Sequence, residues 1–177
     1  MRLEKHGRGV EQAWQMLDLF ASLGVHSLDL TRTDMDGHKR GYRAAQSVEA
    51  LGRWMPWLLR SAMQCRHNLI VRPKLGTAEL IQLDDLCGAM LERVRSTAFL
   101  ILTSRAGNHP AWVAVGEGGP DLARRLRQGS GADPSASGAK LASPTMAQLG
   151  ARFAERTAGA PPRPAGCQPR RFHVLPA

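Results

Sequence analysis

Apolar residues recur at helical spacing between Gly9 and Leu23, at Val10, Ala13, Trp14, Leu17, Phe20 and Ala21. Gly24 follows, the residue type that most readily ends a helix. The period then drops to two. In VHSLDLT (25–31), Val25, Ser27, Asp29 and Thr31 alternate with His26, Leu28 and Leu30, which predicts a strand with one buried face. Arg32 to Arg43 is charged, contains glycine and has no period, so it reads as a turn region. Ser47, with Glu49 behind it to complement the helix dipole, predicts the start of a second helix running through Leu51, Trp54, Leu58 and Leu59 to about Cys65. Pro56 inside it predicts a kink or a split. NLIVR (68–72), ELIQL (79–83), AFLILT (98–103) and AWVAV (111–115) predict strands. Leu86 to Arg95 and Pro120 to Gln128 predict helices, and Gly129 to Gly138 a loop of small residues. The order α-β-α-β-β-α-β-β-α implies an α+β fold with a mostly antiparallel sheet flanked by helices. Trp14, Trp54 and Trp57 fall on helical faces and Trp112 in a strand, and all four are expected in the core.

Beyond Leu141 the periodic pattern gives way to Pro, Gly and Arg. Residues 1–140 are therefore expected to form the folded body. Residues 141–177 are expected to be a basic tail with little fixed structure past an amphipathic helix over Thr145 to Arg156. The chain of 177 residues fits one domain.

Formal net charge is +9, of which the tail, with five arginines against Glu155 alone, contributes +4. A basic excess in both parts favours a polyanionic partner, either nucleic acid or an anionic membrane surface. Aromatic residues are only 5%, which argues against a broad base-stacking platform. No apolar run approaches the roughly 18 residues of a membrane span. The stretch Met1 to Gly9 is basic and polar, unlike a secretory signal. Cys65, Cys87 and Cys167, without CxxC spacing, read as reduced thiols of a cytoplasmic protein.

The candidate chemistry begins at Asp84 and Asp85, directly after the apolar strand. Two carboxylates at a strand end can converge on one Mg²⁺ or Mn²⁺ if the chain bends there, since hard cations take oxygen ligands. Two such cations could serve phosphoryl transfer, with Asp133 in the small-residue loop as the third carboxylate. A helix cap at Asp84 or Asp85, and a turn at Asp133–Pro134, explain the same residues equally well. Ser104 and His109 share a loop that could contact a triphosphate. Arg72 ends a strand and could pair with phosphate or with Asp84. Arg124, Arg125 and Arg127 cluster on one basic helix. Neither a Walker loop nor a GxSxG or HExxH motif is present.

Five segments in order, LDLTRTDMDGHKRGYR (28–43), NLIVRP (68–73), LIQLDDL (80–86), AFLILTSRAGNHPAWVAV (98–115) and GADPSASGA (131–139), resemble the plasmid RepB-type DNA primase family of the archaeo-eukaryotic primase superfamily. The resemblance implies an RNA-recognition-like α+β core that makes primers on single-stranded DNA from nucleoside triphosphates with Mg²⁺ or Mn²⁺. It assigns Asp84, Asp85 and Asp133 to the metals, and Arg72, Ser104 and His109 to the nucleotide. The basic cluster Arg124, Arg125 and Arg127 is then expected on template phosphates, with replication or mobilisation proteins as partners and no membrane. After Lys140 the text departs from the family pattern, and a truncated or frame-shifted end is expected. The competing expectation is a non-catalytic nucleic-acid-binding module that kept the fold and its basic face.

Overall fold

The computed structural model describes residues 3–74, 79–86, 88–103, 107–116, 121–134 and 139–142. Helix α1 (Leu3–Ser22) leads into strand β1 (Ser27–Thr33), β2 (Lys39–Ser47) and helix α2 (Val48–Cys65). Then follow β3 (Asn68–Pro73), β4 (Glu79–Leu83), α3 (Gly88–Arg95), β5 (Ala98–Ile101), β6 (Ala111–Val115), α4 (Leu122–Ser130) and β7 (Ala139–Ala142). The strands form two antiparallel sheets, ordered β2-β1-β3-β7 and β4-β6-β5. This is the expected α+β class.

The smaller sheet is apolar on both faces. Leu80, Leu100, Trp112 and Ala114 pack into one core with α1, α2 and the larger sheet. Ile81, Leu83, Ile101, Ala111 and Val113 pack into a second core with Leu91 of α3 and Leu122, Ala123 and Leu126 of α4. Side chains alternate across a strand, so coverage on both faces makes these segments read as continuous apolar runs. Phe20 joins α1 to this sheet through edge contacts with Phe99 and Trp112, at 6.0 and 5.3 Å between ring centroids.

The structure corrects three expectations. First, the supposed turn region is mostly strand. Only residues 34–38 turn, with Gly37 at φ 88° and the Asp34 N–H donating to the His38 carbonyl (3.0 Å). β2 then runs at the sheet edge with seven of its nine residues exposed, so it carries no apolar alternation. Its pairing with β1 shifts register between Leu28 and Leu30. The buried carboxylate of Asp29 spans that irregularity, accepting from the Ala45 N–H and the Tyr42 hydroxyl (both 2.9 Å) and pairing with Lys74 (2.8 Å). Burial alone would raise the Asp29 pKa. The hydrogen bonds from Lys74, Ala45 and Tyr42 and the Lys74 charge outweigh it and hold the carboxyl below 3.8.

Second, α2 is one unbroken helix through Pro56, capped by Ser47, whose hydroxyl accepts from the Ala50 N–H, and ended by left-handed Arg66. Third, Trp14, Trp54 and Trp57 are not core residues but 42%, 39% and 58% exposed; Trp112 is buried as expected. The buried side of α2 is Leu51, Met55, Leu58, Leu59 and Ala62, and the tryptophans lie off that face.

β7 adds to the free edge of β3, with Leu69 opposite Ala142 and Val71 opposite Ala139, so regular structure crosses the boundary expected at residue 140. The helix expected over Thr145 to Arg156 and the rest of the tail lie outside the described residues.

Candidate active site

β4 ends at Leu83, anchored by the burial of Ile81, Leu83 and Leu86 around the acid pair. Asp84 is half-buried and Asp85 exposed. Asp85 adopts a left-handed backbone, φ 56°, a conformation that costs most residues about 1 kcal/mol and that Asp tolerates better than most. Its N–H turns back onto Asp84 Oδ1 at 2.9 Å. The kink breaks the strand's alternation at the acid pair. α3 begins only at Gly88, so neither aspartate occupies the position before its first residue.

The third acid arrives from α4. That helix closes on left-handed Gly131 (φ 65°), whose N–H bonds to Gln128, while the Ala132 N–H bonds to Arg127. Ala132 is buried in the second core. The next N–H, of Asp133, donates to the Asp84 carbonyl at 3.1 Å. Arg127 Nε donates to the Gln82 carbonyl at 3.2 Å, tying α4 to β4 two residues before the pair. Residues nearly fifty positions apart are thus joined backbone to backbone.

The loop before β6 reaches the same place. Asn108 Nδ2 donates to Asp85 Oδ1 at 2.9 Å, and Asn108 Oδ1 is buried with no hydrogen-bond partner among the described residues. Asn108 was not singled out by the sequence; its one signal was its place beside His109. His109 is half-buried, with Nδ1 3.3 Å from Thr103 Oγ1. Ser104 lies outside the described residues. Arg72 sits in the larger sheet, opposite Asp29, and donates to Thr31 Oγ1 at 2.8 Å. The basic trio on α4 divides. Arg127 turns to β4, while Arg124 and Arg125 are exposed and Arg124 pairs with Asp121 at 3.1 Å.

For a divalent cation the donor set suits hard-metal chemistry: three aspartates on adjoining backbone and a buried, unpartnered amide oxygen beside one of them. Among the described residues, the cation-capable atoms that lie within 4.8 Å of one another are those of Asp34, Asp36 and His38 on the β1–β2 turn, not those of the three aspartates. The Asp34 carboxylate already accepts from the N–H groups of Asp36 and His38 and pairs with Arg40 at 2.7 Å. Burial opposes its charge, but the His38 N–H and Arg40 guanidinium outweigh that and keep its pKa below 3.8. That carboxylate organises the turn.

No protein-family model matches this chain, and no curated protein does. Among solved structures it resembles the catalytic domain of primase RepB′ in complex with initiator DNA, with a TM-score of 0.65 and 22% identity over 84% of this chain and 89% of that one. It also resembles primase RepB′, at a TM-score of 0.58 and 22% identity, covering 85% of this chain and 51% of that one, so it spans about half of the longer protein. The chain therefore has the fold of a primase catalytic domain, as the sequence resemblance implied. Among the described residues no helix is long and apolar enough to cross a membrane.

Proposed function

We propose that this protein is a primase-type nucleotidyltransferase that makes short primers on single-stranded DNA during plasmid or mobile-element replication. The observation that supports this reading is the Asp133 N–H bond to the Asp84 carbonyl, which joins the backbone of the third acid to that of the pair within a primase-like fold. Asp84, Asp85 and Asp133 would hold Mg²⁺ or Mn²⁺ through carboxylate oxygens. Such a cation, when bound, stabilises charge on the reacting phosphate and on the attacking and leaving oxygens. The remaining work falls to the chain itself. Asn108 holds the Asp85 carboxylate in one orientation. Arg72 would offset the charge of the triphosphate, and Ser104 and His109 would hydrogen-bond it, as the primer's 3′-hydroxyl gives up its proton to solvent, its oxygen bonds to the α-phosphorus and pyrophosphate departs. Arg124 and Arg125 draw the template by its phosphates, while Arg127 ties α4 to β4. Replication of this kind places the protein in the cytoplasm, with replication or mobilisation proteins as partners.

The test is primer synthesis on single-stranded DNA with labelled nucleotides and Mg²⁺ or Mn²⁺, beside an Asp84→Asn/Asp85→Asn double variant. Product from the wild type alone supports the enzyme and its acid pair. No product from either, with DNA binding intact, points instead to a non-catalytic binding module.

A further inference from the structure

Helix α2 leaves two indole rings in water where its sequence pattern led us to expect core. Trp57 is 58% exposed and Trp54 39%. Three residues apart on a helix, the two side chains are neighbours. Arg53 and Arg60, four and three residues from Trp57, are exposed on the same flank, and among the described residues neither has a carboxylate partner. From the edge strand β2, the Arg43 guanidinium lies 5.2 Å from the centroid of the Trp54 ring. The sole acid of α2 is Glu49, in its first turn. Single exposed apolar residues are ordinary on a protein surface, but two adjacent indoles framed by three guanidinium groups combine an aromatic face with positive charge. Unpaired bases on a phosphate backbone match both: each ring offers a flat partner to a base, and each arginine a charge to a phosphate.

We propose that Trp54 and Trp57, framed by Arg43, Arg53 and Arg60, form a second contact for single-stranded DNA, in which unpaired bases stack on the two indoles. The partner is taken from the function proposed above. The surface is separate, because α2 and β2 supply none of the residues assigned to the acid site. Stacking accepts every base, so the contact holds the strand without reading its sequence. Low overall aromatic content does not weigh against it, since two rings suffice for two bases.

The experiment measures binding of the full chain to a fluorescein-labelled oligothymidylate by anisotropy, over a range of salt concentrations. Trp54→Ala/Trp57→Ala is expected to weaken binding by about tenfold or more without changing the salt dependence. Trp54→Phe/Trp57→Phe, which keeps a ring at each position, recovers most of the affinity. Arg53→Gln/Arg60→Gln lowers the slope of log K against log salt by about 1.4, at roughly 0.7 per single-strand phosphate contact. A blunt duplex of the same length, with no unpaired bases to stack, binds the alanine variant and the wild type alike. Unchanged oligothymidylate affinity in the alanine variant overturns the proposal, as does an equal loss for duplex. So does unchanged affinity with a shift to a smaller species in sedimentation, which would assign the rings to contact between copies of this chain. The two readings fail separately. Ring-dependent binding by a protein that makes no primer sinks only the enzyme, and primer synthesis with ring-independent binding sinks only this contact.

Discussion

Trp14 Nε1 donates to the Gly52 carbonyl at 3.0 Å, and Gly52 is the residue four positions before Pro56. In a regular helix that carbonyl accepts from the N–H of residue 56, which proline lacks. The indole supplies the missing donor from α1. This explains how α2 passes through a proline unbroken, and why Trp14 stays half in water on the helix surface. Trp14→Phe is expected to cost about 1 kcal/mol in chemical denaturation. In a Pro56→Ala background, where the substituted residue regains a backbone N–H that can reach the Gly52 carbonyl, the same change should cost clearly less. Equal costs in the two backgrounds would refute the relationship.

If the acid pair is catalytic, as proposed, Asn108 is expected to bear on catalysis rather than on folding. Its amide fixes one oxygen of Asp85, a residue exposed to water on a kinked backbone. Asn108→Ala is expected to lower kcat for primer synthesis by about tenfold and to raise the Mg²⁺ concentration needed for half-maximal rate, as loss of an outer-shell partner does. The melting temperature should move little. Asn108→Asp should be worse, because it sets a second negative charge beside Asp85. Activity unchanged in both variants would remove Asn108 from the site.

Asp85 shows the opposite balance. Its φ of 56° suits glycine better than aspartate. Asp85→Gly is expected to change folding stability by no more than about 0.5 kcal/mol, relief of backbone strain offsetting the lost Asn108 bond and the freer unfolded chain. Primer synthesis should nevertheless vanish. A variant that is several kcal/mol less stable would show that the Asp85 side chain holds the turn.

The acid limb of stability should report on Asp29. Its folded pKa lies below 3.8, its ordinary value, so its contribution is complete at pH above that value and disappears as pH falls through the folded pKa. Asp29→Asn is expected to be about 2 kcal/mol less stable at pH 7, where the charged carboxylate accepts three hydrogen bonds. Denaturation curves of the two proteins should converge as the pH drops below 4. A gap that stays constant to pH 2 would assign the loss to packing instead of charge.

Local pattern was enough for α1, α2, β1 and the strands of the small sheet, because each buries at least one face and burial leaves a period or an unbroken apolar run in the chain. It was enough, too, to mark Asp84 and Asp85, which interrupt such a run where the strand must leave the sheet. β2 left no such trace: as an edge strand with most of both faces in water, it is held by backbone pairing to β1 that any residues could make. Nor does periodicity say which flank of a helix a neighbour covers, so Trp54 and Trp57 read as core on α2 until the packing of α1 and the sheet left them outside. Asp133 was legible as a candidate but not as a neighbour. Its meeting with Asp84 depends on the Gly131 helix end, the burial of Ala132 and the Arg127 tie to β4, three contacts between residues distant in sequence. Composition and spacing therefore marked candidate residues for the chemistry and most of the elements that carry them. Only tertiary packing decided which of them meet, because a one-dimensional pattern records that a face is buried and not what it is buried against.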